Sequence, residues 1–167
     1  MFSTNTQISI ISNQCIMNDN KGKLKDNDIL SLYAYLCEYE DHIKGRKDCF
    51  NIYDEAVEQF KKENQIYFGS INNNKDKKKA QKFKNYLLWA EGAIGKKGAK
   101  VDRAHALLRR IRNAFAHGII TDKNEGSFEL SDYDEKKGKV TLQGSISYQL
   151  LYQLINVLKQ SESNNLQ

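Results

Sequence analysis

The stretch "LLRRIRNAFAHGII", residues 107–120, sets three arginines, an asparagine and a histidine among apolar residues at helical spacing, with Gly118 after the histidine. These side-chain types can do chemistry on a phosphate. A guanidinium grips phosphate oxygens as a fork. Imidazole has its unperturbed pKa near neutrality, so it can take or give a proton at a reacting oxygen. Asn113, one helical turn before His117, can orient the ring or a phosphate oxygen.

Helical geometry says where these groups point. With Ile111 at zero and about 100° per residue, Ala104, Leu107, Leu108, Ala114 and Phe115 fall within roughly 60° of it and form a core stripe. Arg112 then lies at about 100°, His105 at about 120°, Ala116 at about 140° and Arg109 at about 160°. Asn113 follows at about 200°, His117 at about 240° and Arg110 at about 260°. All project off the stripe, around a small Ala116 that permits close approach. Cations crowded beside two imidazoles make charging either ring costly, which a bound anion would relieve. The same letters also suit an ordinary solvated face. Cations in a last turn meet the negative end of the helix dipole, and glycine commonly follows a helix.

A chain of 167 residues can build one domain with a core, and its 40% hydrophobic and 28% charged content is that of a soluble globular protein. No apolar run is long enough for a bilayer, and the N-terminus lacks the basic-then-apolar order of a signal peptide. A cytoplasmic protein without a membrane partner is the expectation. Cys15, Cys37 and Cys49 contain no C-x-x-C pair, and with His42, His105 and His117 they complete no recognisable metal set. No metal or other cofactor is therefore expected. Cys37 and Cys49 fall at apolar positions of expected helices, where a thiol acts as a small hydrophobe.

Charge is uneven along the chain. From Lys75 to Arg112 there are 13 of the 26 basic residues and three acids, Asp76, Glu91 and Asp102, so this segment carries +10 within a net +5. Such a concentration suits a polyanion, most simply nucleic acid, although "KDKKKAQKFK" reads equally well as a solvated lysine face.

Without proline, helix ends must be marked by Gly, Asn, Asp and Ser. Residues 1–25 suggest an arm or edge strand around "QISIISNQCIM". Four helical patterns follow. The first, capped by Asn27 or Asp28, uses Ile29, Tyr33, Leu36, Cys37 and Ile43. The second, after Asp48, uses Cys49, Tyr53, Ala56, Val57 and Phe60. The third uses Ala80, Phe83, Leu87, Ala90 and Ile94, with Trp89 to one side, and the fourth carries the cluster described above. Alternation in "SFELSDY" and "KVTLQ" about a turn predicts a β-hairpin over residues 126–143. A last helix, Ser145 to Lys159, packs with Leu150, Leu151, Leu154, Ile155 and Leu158. The sum is a mainly α domain, a bundle of four to five helices with a short hairpin between the last two.

"RNAFAHG" resembles the signature of the HEPN superfamily (higher eukaryotes and prokaryotes nucleotide-binding domain). That signature is an Arg, a polar follower, and a His four to six residues later, near the end of a penultimate helix. Arg112, Asn113 and His117 match it in turn. The closest likeness is to small stand-alone bacterial members whose motif reads R-N-x-x-A-H-G before a short hairpin. The resemblance implies a metal-independent endoribonuclease, dimeric with the Arg112/His117 faces opposed. Cleavage would be by the RNA's own 2′-OH, leaving a 2′,3′-cyclic phosphate and a 5′-hydroxyl. Arg112, Asn113 and His117 would be catalytic, with Arg109, Arg110, His105, Lys96 and Lys97 on RNA. A toxin or phage-defence role, with an antitoxin or defence-system partner, follows by analogy. Some HEPN toxins carry a Tyr two positions after the His that a partner modifies. Ile119 stands there, so that control is not expected.

Two other readings remain. "GKKG" at residues 95–98 is similar to the phosphate clamp of KH domains, although the strands of a KH fold are not evident around it. The motif could also belong to a non-catalytic RNA-binding or assembly subunit of the same fold.

Overall fold

The computed structural model describes residues 26–46, 50–90, 103–117, 120–123 and 127–161. Helix α1 (Asp26–Glu38) runs into a π-helical turn (Tyr39–Ile43) and is followed by α2 (Glu55–Glu63). Next come β1 (Ile66–Ser70), α3 (Asn74–Ala80) and β2 (Asn85–Trp89). Helix α4 (Arg103–Ala116) precedes β3 (Ile120–Lys123), β4 (Ser127–Asp134), β5 (Lys139–Ser147) and α5 (Tyr148–Gln160). The strands form one five-stranded sheet in the order β1-β2-β5-β4-β3. β1 and β2 are parallel and the other neighbours antiparallel.

The expected helical bundle with a hairpin insert is therefore incorrect; the domain is partly α/β. The hairpin of residues 126–143 is the β4–β5 pair, and it is no insert, because β5 also pairs with β2 and β4 with β3. The third expected helix fails at residues 85–89, which form β2. Leu87, Leu88 and Trp89 are all buried because layers pack on both faces of that strand. A doubly buried strand is an unbroken apolar run, which periodicity cannot separate from a helix segment. β1, which the sequence pattern did not predict, pairs in parallel with β2, and parallel neighbours need a crossover. The lysine-rich "NKDKKKA" supplies it as α3, with Asn73 accepting from Lys75 N–H as its cap.

Leu87, Trp89, Leu130, Leu142 and Ile146 share one sheet face and pack into a core with α1, the π-turn, α2, α4 and α5. On the other face, Ala80 of α3 packs with Ile71 and Leu88. Among the described residues, Tyr35 of α1 and Tyr39 and Ile43 of the π-turn are buried, whereas Tyr33 is half-buried and Cys37 is exposed. The stripe is shifted because tyrosine can be buried when its hydroxyl finds a partner, and Tyr35 donates to the carbonyl oxygen of Leu108 at 2.8 Å. α2 starts only at Glu55, capped by Asp54, which leaves Tyr53 ahead of it and exposed. α5 begins at Tyr148, capped by Ser147, and buries Leu151, Leu154, Ile155 and Leu158. Residues 1–25, Cys49 and Ile94 lie outside the described residues. Among those described, no helix is long and apolar enough to cross a membrane.

Two contacts of the sheet lead to measurable consequences. A Cβ on Gly144 would stand 2.5 Å from Leu87 Cδ2 and 3.0 Å from the Tyr86 carbonyl oxygen. Gly144→Ala is expected to destabilise the domain by about 1–3 kcal/mol in urea denaturation. Tyr67 donates to Asp76 at 2.8 Å, and the other Asp76 oxygen accepts Ser70 N–H at 2.8 Å. Burial first, then Asp76, pushes the Tyr67 phenol up to about 12. The neutral phenol is thus preferred in the folded state. Its stabilisation is complete below the unfolded value of about 10 and is lost as pH rises through the folded one. The urea midpoint should fall between about pH 10 and about pH 12, and fall less in Tyr67→Phe.

Candidate active site

Helix α4 is gripped along most of its circumference. Leu107, Leu108, Ile111 and Ala114 are fully buried, and at its start Ala104, His105 and Ala106 are buried too. The sheet covers one flank, while α1 and the π-turn cover the other. His105, placed off the core stripe by the helical projection, is in fact 8% exposed. Its ring lies 6.3 Å from that of Tyr39, and its Nε2 is 3.3 Å from the Lys44 carbonyl oxygen. The π-turn roofs the first half of α4, so His105 is a packing residue and no part of an RNA-facing stripe.

Toward its C-terminus the helix emerges. Arg109 is exposed, Asn113 and Ala116 are half-buried, and His117 is exposed, its N–H closing the last turn on the Asn113 carbonyl at 2.9 Å. This ridge has a cation on one side and an imidazole on the other. On the first side, Arg112 Nη2 donates to Glu40 Oε1 at 2.5 Å, Nη1 lies 3.4 Å from Asn113 Oδ1, and the guanidinium sits 6.0 Å from the Tyr39 ring centroid. The π-turn brings Glu40 there. Lys44, with Arg112 adding to it against an opposing effect of desolvation, holds the Glu40 carboxyl below the usual carboxylate range. Such an open, solvent-screened ion pair contributes little, so a phosphate can displace Glu40 at little cost.

On the other side, Arg110 of α4 and His117, just past its last residue, both face Asp132 of β4. Arg110 Nη1 donates to Asp132 Oδ2 at 3.0 Å, and Thr141 Oγ1 donates to the same oxygen at 2.6 Å. Asp132 Oδ1 is 3.9 Å from His117 Nδ1. Asp132 is only 1% exposed. A bulge aims the threonine: Asp132 pairs with Leu142 and Tyr133 with Val140, so Thr141 is unmatched in the ladder.

Of the residues expected from sequence, Arg112, Asn113, His117 and Arg109 thus share the exposed end of α4. Arg110 is turned into a mostly buried ion pair, and His105 is under the π-turn. Lys96 and Lys97 lie outside the described residues. Glu40, Asp132 and Thr141 were missed. For Asp132 a signal existed, since Phe128, Leu130 and Asp132 share the inward phase of β4, and a carboxylate in that phase needs partners. Nothing local marks Glu40 or Thr141. No cluster of three His, Cys, Asp or Glu suited to a metal occurs among the described residues.

Comparison with protein families defines the class. A family model, HEPN pEK499 p136, matches residues 29–165, so the clamped helix and its surroundings are a HEPN domain. The chain belongs to the HEPN pEK499 p136 family, and this membership points to a ribonuclease-like or nucleotide-related function. Neither the curated proteins nor the solved structures contain a match.

Arg110→Met is expected to lower stability by about 3 kcal/mol in urea denaturation, because it strands a buried carboxylate. An arginine serving only as an RNA contact would leave the midpoint unchanged.

Proposed function

We propose that the protein is a metal-independent endoribonuclease that cleaves RNA through the substrate's own 2′-OH. The observation that carries this reading is the convergence of Arg112, Asn113 and His117 on one exposed ridge, with Arg112 held by an exposed and replaceable carboxylate. In the reaction the 2′-oxygen attacks the adjacent phosphorus, the bond to the 5′-oxygen breaks, and a 2′,3′-cyclic phosphate remains. His117 takes the 2′-OH proton or supplies the proton that the leaving 5′-oxygen needs. Arg112 exchanges Glu40 for the scissile phosphate and offsets the charge that develops on its oxygens. Asn113 orients a phosphate oxygen beside it.

One imidazole cannot hold both proton roles in a single step. A homodimer with the two ridges opposed supplies the second His117, and the small Ala116 on the ridge suits close approach of a partner helix. Arg109, exposed on the same ridge, and Lys96 and Lys97 are proposed RNA contacts. A toxin or antiviral-defence effector, controlled by an antitoxin or another component of the defence system, is the setting that fits such an activity.

The test is incubation of the purified protein with RNA in EDTA, followed by mapping of the ends. Cleavage with cyclic-phosphate and 5′-hydroxyl ends is expected, with the matching DNA left intact. His117→Ala and Arg112→Ala should each lose about 10²-fold or more in rate while keeping the wild-type circular dichroism spectrum. RNA that is bound in a salt-sensitive way but never cut would instead identify a non-catalytic RNA-binding or assembly subunit.

A further inference from the structure

The buried carboxylate beside His117 has one oxygen too well provided for and one not at all. Asp132 Oδ2 accepts from both Arg110 Nη1 and Thr141 Oγ1. Asp132 Oδ1 is buried and has no hydrogen-bond partner among the described residues. If Asp132 were only a counter-ion for Arg110, the favoured geometry would be a fork gripping both oxygens. The pair here uses one, and Arg110 Nε is itself buried without a hydrogen-bond partner among the described residues. An unfilled buried carboxylate oxygen is costly. The ring nitrogen that faces it is His117 Nδ1, at 3.9 Å, on a side chain 55% exposed at the helix end. A normal hydrogen bond is about 2.9 Å, so the ring has to move closer by about 1 Å. Catalytic contacts are often long until substrate is bound.

We propose that Asp132 is the positioning residue of His117: its Oδ1 accepts the Nδ1–H of the imidazole, while Arg110 and Thr141 hold its other oxygen in place. This rests on the nuclease reading for its purpose but not for its geometry. With Nδ1 carrying the proton, Nε2 is the free base and faces outward, where a 2′-OH proton would be taken. When Nε2 accepts that proton, the imidazolium is stabilised by the Asp132 carboxylate, which Arg110 and Thr141 hold in place. The arrangement has the logic of a nucleophile–base–carboxylate relay, with the substrate's hydroxyl in place of a protein nucleophile.

The substitution Asp132→Asn separates positioning from mere packing. The two donors at the Oδ2 position fix the carboxamide oxygen there, so the amide NH2 is turned toward His117. The ring must then accept at Nδ1 and carry its proton on Nε2, the wrong tautomer for a base. The experiment is nitrogen-15 NMR of the full chain labelled at histidine, above the pH at which the imidazoles titrate, with His117 assigned from the His117→Ala spectrum. The expected result is an Nδ1–H tautomer for His117 in the wild type and an Nε2–H tautomer in Asp132→Asn, with RNA cleavage lowered by about 10²-fold. The wild-type spectrum decides even if the variant does not fold. Wild-type His117 in the Nε2–H form, or a His117 signal unmoved in folded Asp132→Asn, overturns the pairing and leaves the nuclease reading intact. Wild-type protein that leaves RNA uncut but holds the Nδ1–H tautomer sinks the nuclease reading and upholds the pairing.

Discussion

Everything at the candidate site depends on how α4 is held. Its apolar stripe, Leu107, Leu108, Ile111 and Ala114, is completely buried, which fixes the rotation of the helix about its axis. Tyr35 adds a directional lock, because its hydroxyl bonds the Leu108 carbonyl while its ring meets Phe115 edge-on at 5.7 Å. A helix fixed in rotation presents each off-stripe residue to a set neighbour. Arg112 is delivered to the π-turn, Arg110 and His117 to Asp132 on β4, and Asn113 and Ala116 to the gap between them. The layout of the ridge is thus a consequence of the packing behind it.

The two carboxylates that flank the ridge differ in burial, and that sets their roles. Glu40 is exposed and shared between Lys44 and Arg112, so it acts as a replaceable occupant of the guanidinium. Asp132 is inside, tied to Arg110 and Thr141, and cannot be exchanged without breaking a buried pair. One carboxylate sits in an open pair at the surface; the other belongs to the frame. The β-bulge at Thr141 and the five-residue π-turn that carries Glu40 are both local departures from regular structure, and each places one side chain at the site.

The sheet stiffens this frame from behind. Gly144 lets β5 lie close under Leu87, and α3 closes the far face over β1 and β2. The exposed lysines of α3 sit with that far layer, whereas the Arg112 and His117 ridge belongs to the other one. Among the described residues, the basic character of residues 75–112 is therefore divided between the two sides of the sheet.

What could be learned from sequence alone was local. The core stripe of α4, the apolar positions of α5 and the turn between β4 and β5 follow from period and turn chemistry, which are properties of neighbouring residues. The Arg112–Asn113–His117 motif was likewise readable, because its meaning lies in spacing along one helix. The tertiary structure decided what period cannot express. Leu87 and Trp89 lie in a strand because a second layer covers them, and His105 is buried because a turn more than sixty residues earlier passes over it. Arg110 and Arg112 look alike as letters, yet one is bound into the interior and the other stays near the surface. That difference comes from Asp132 and Glu40, whose approach depends on strand register and on a π-turn rather than on anything beside the arginines in the chain.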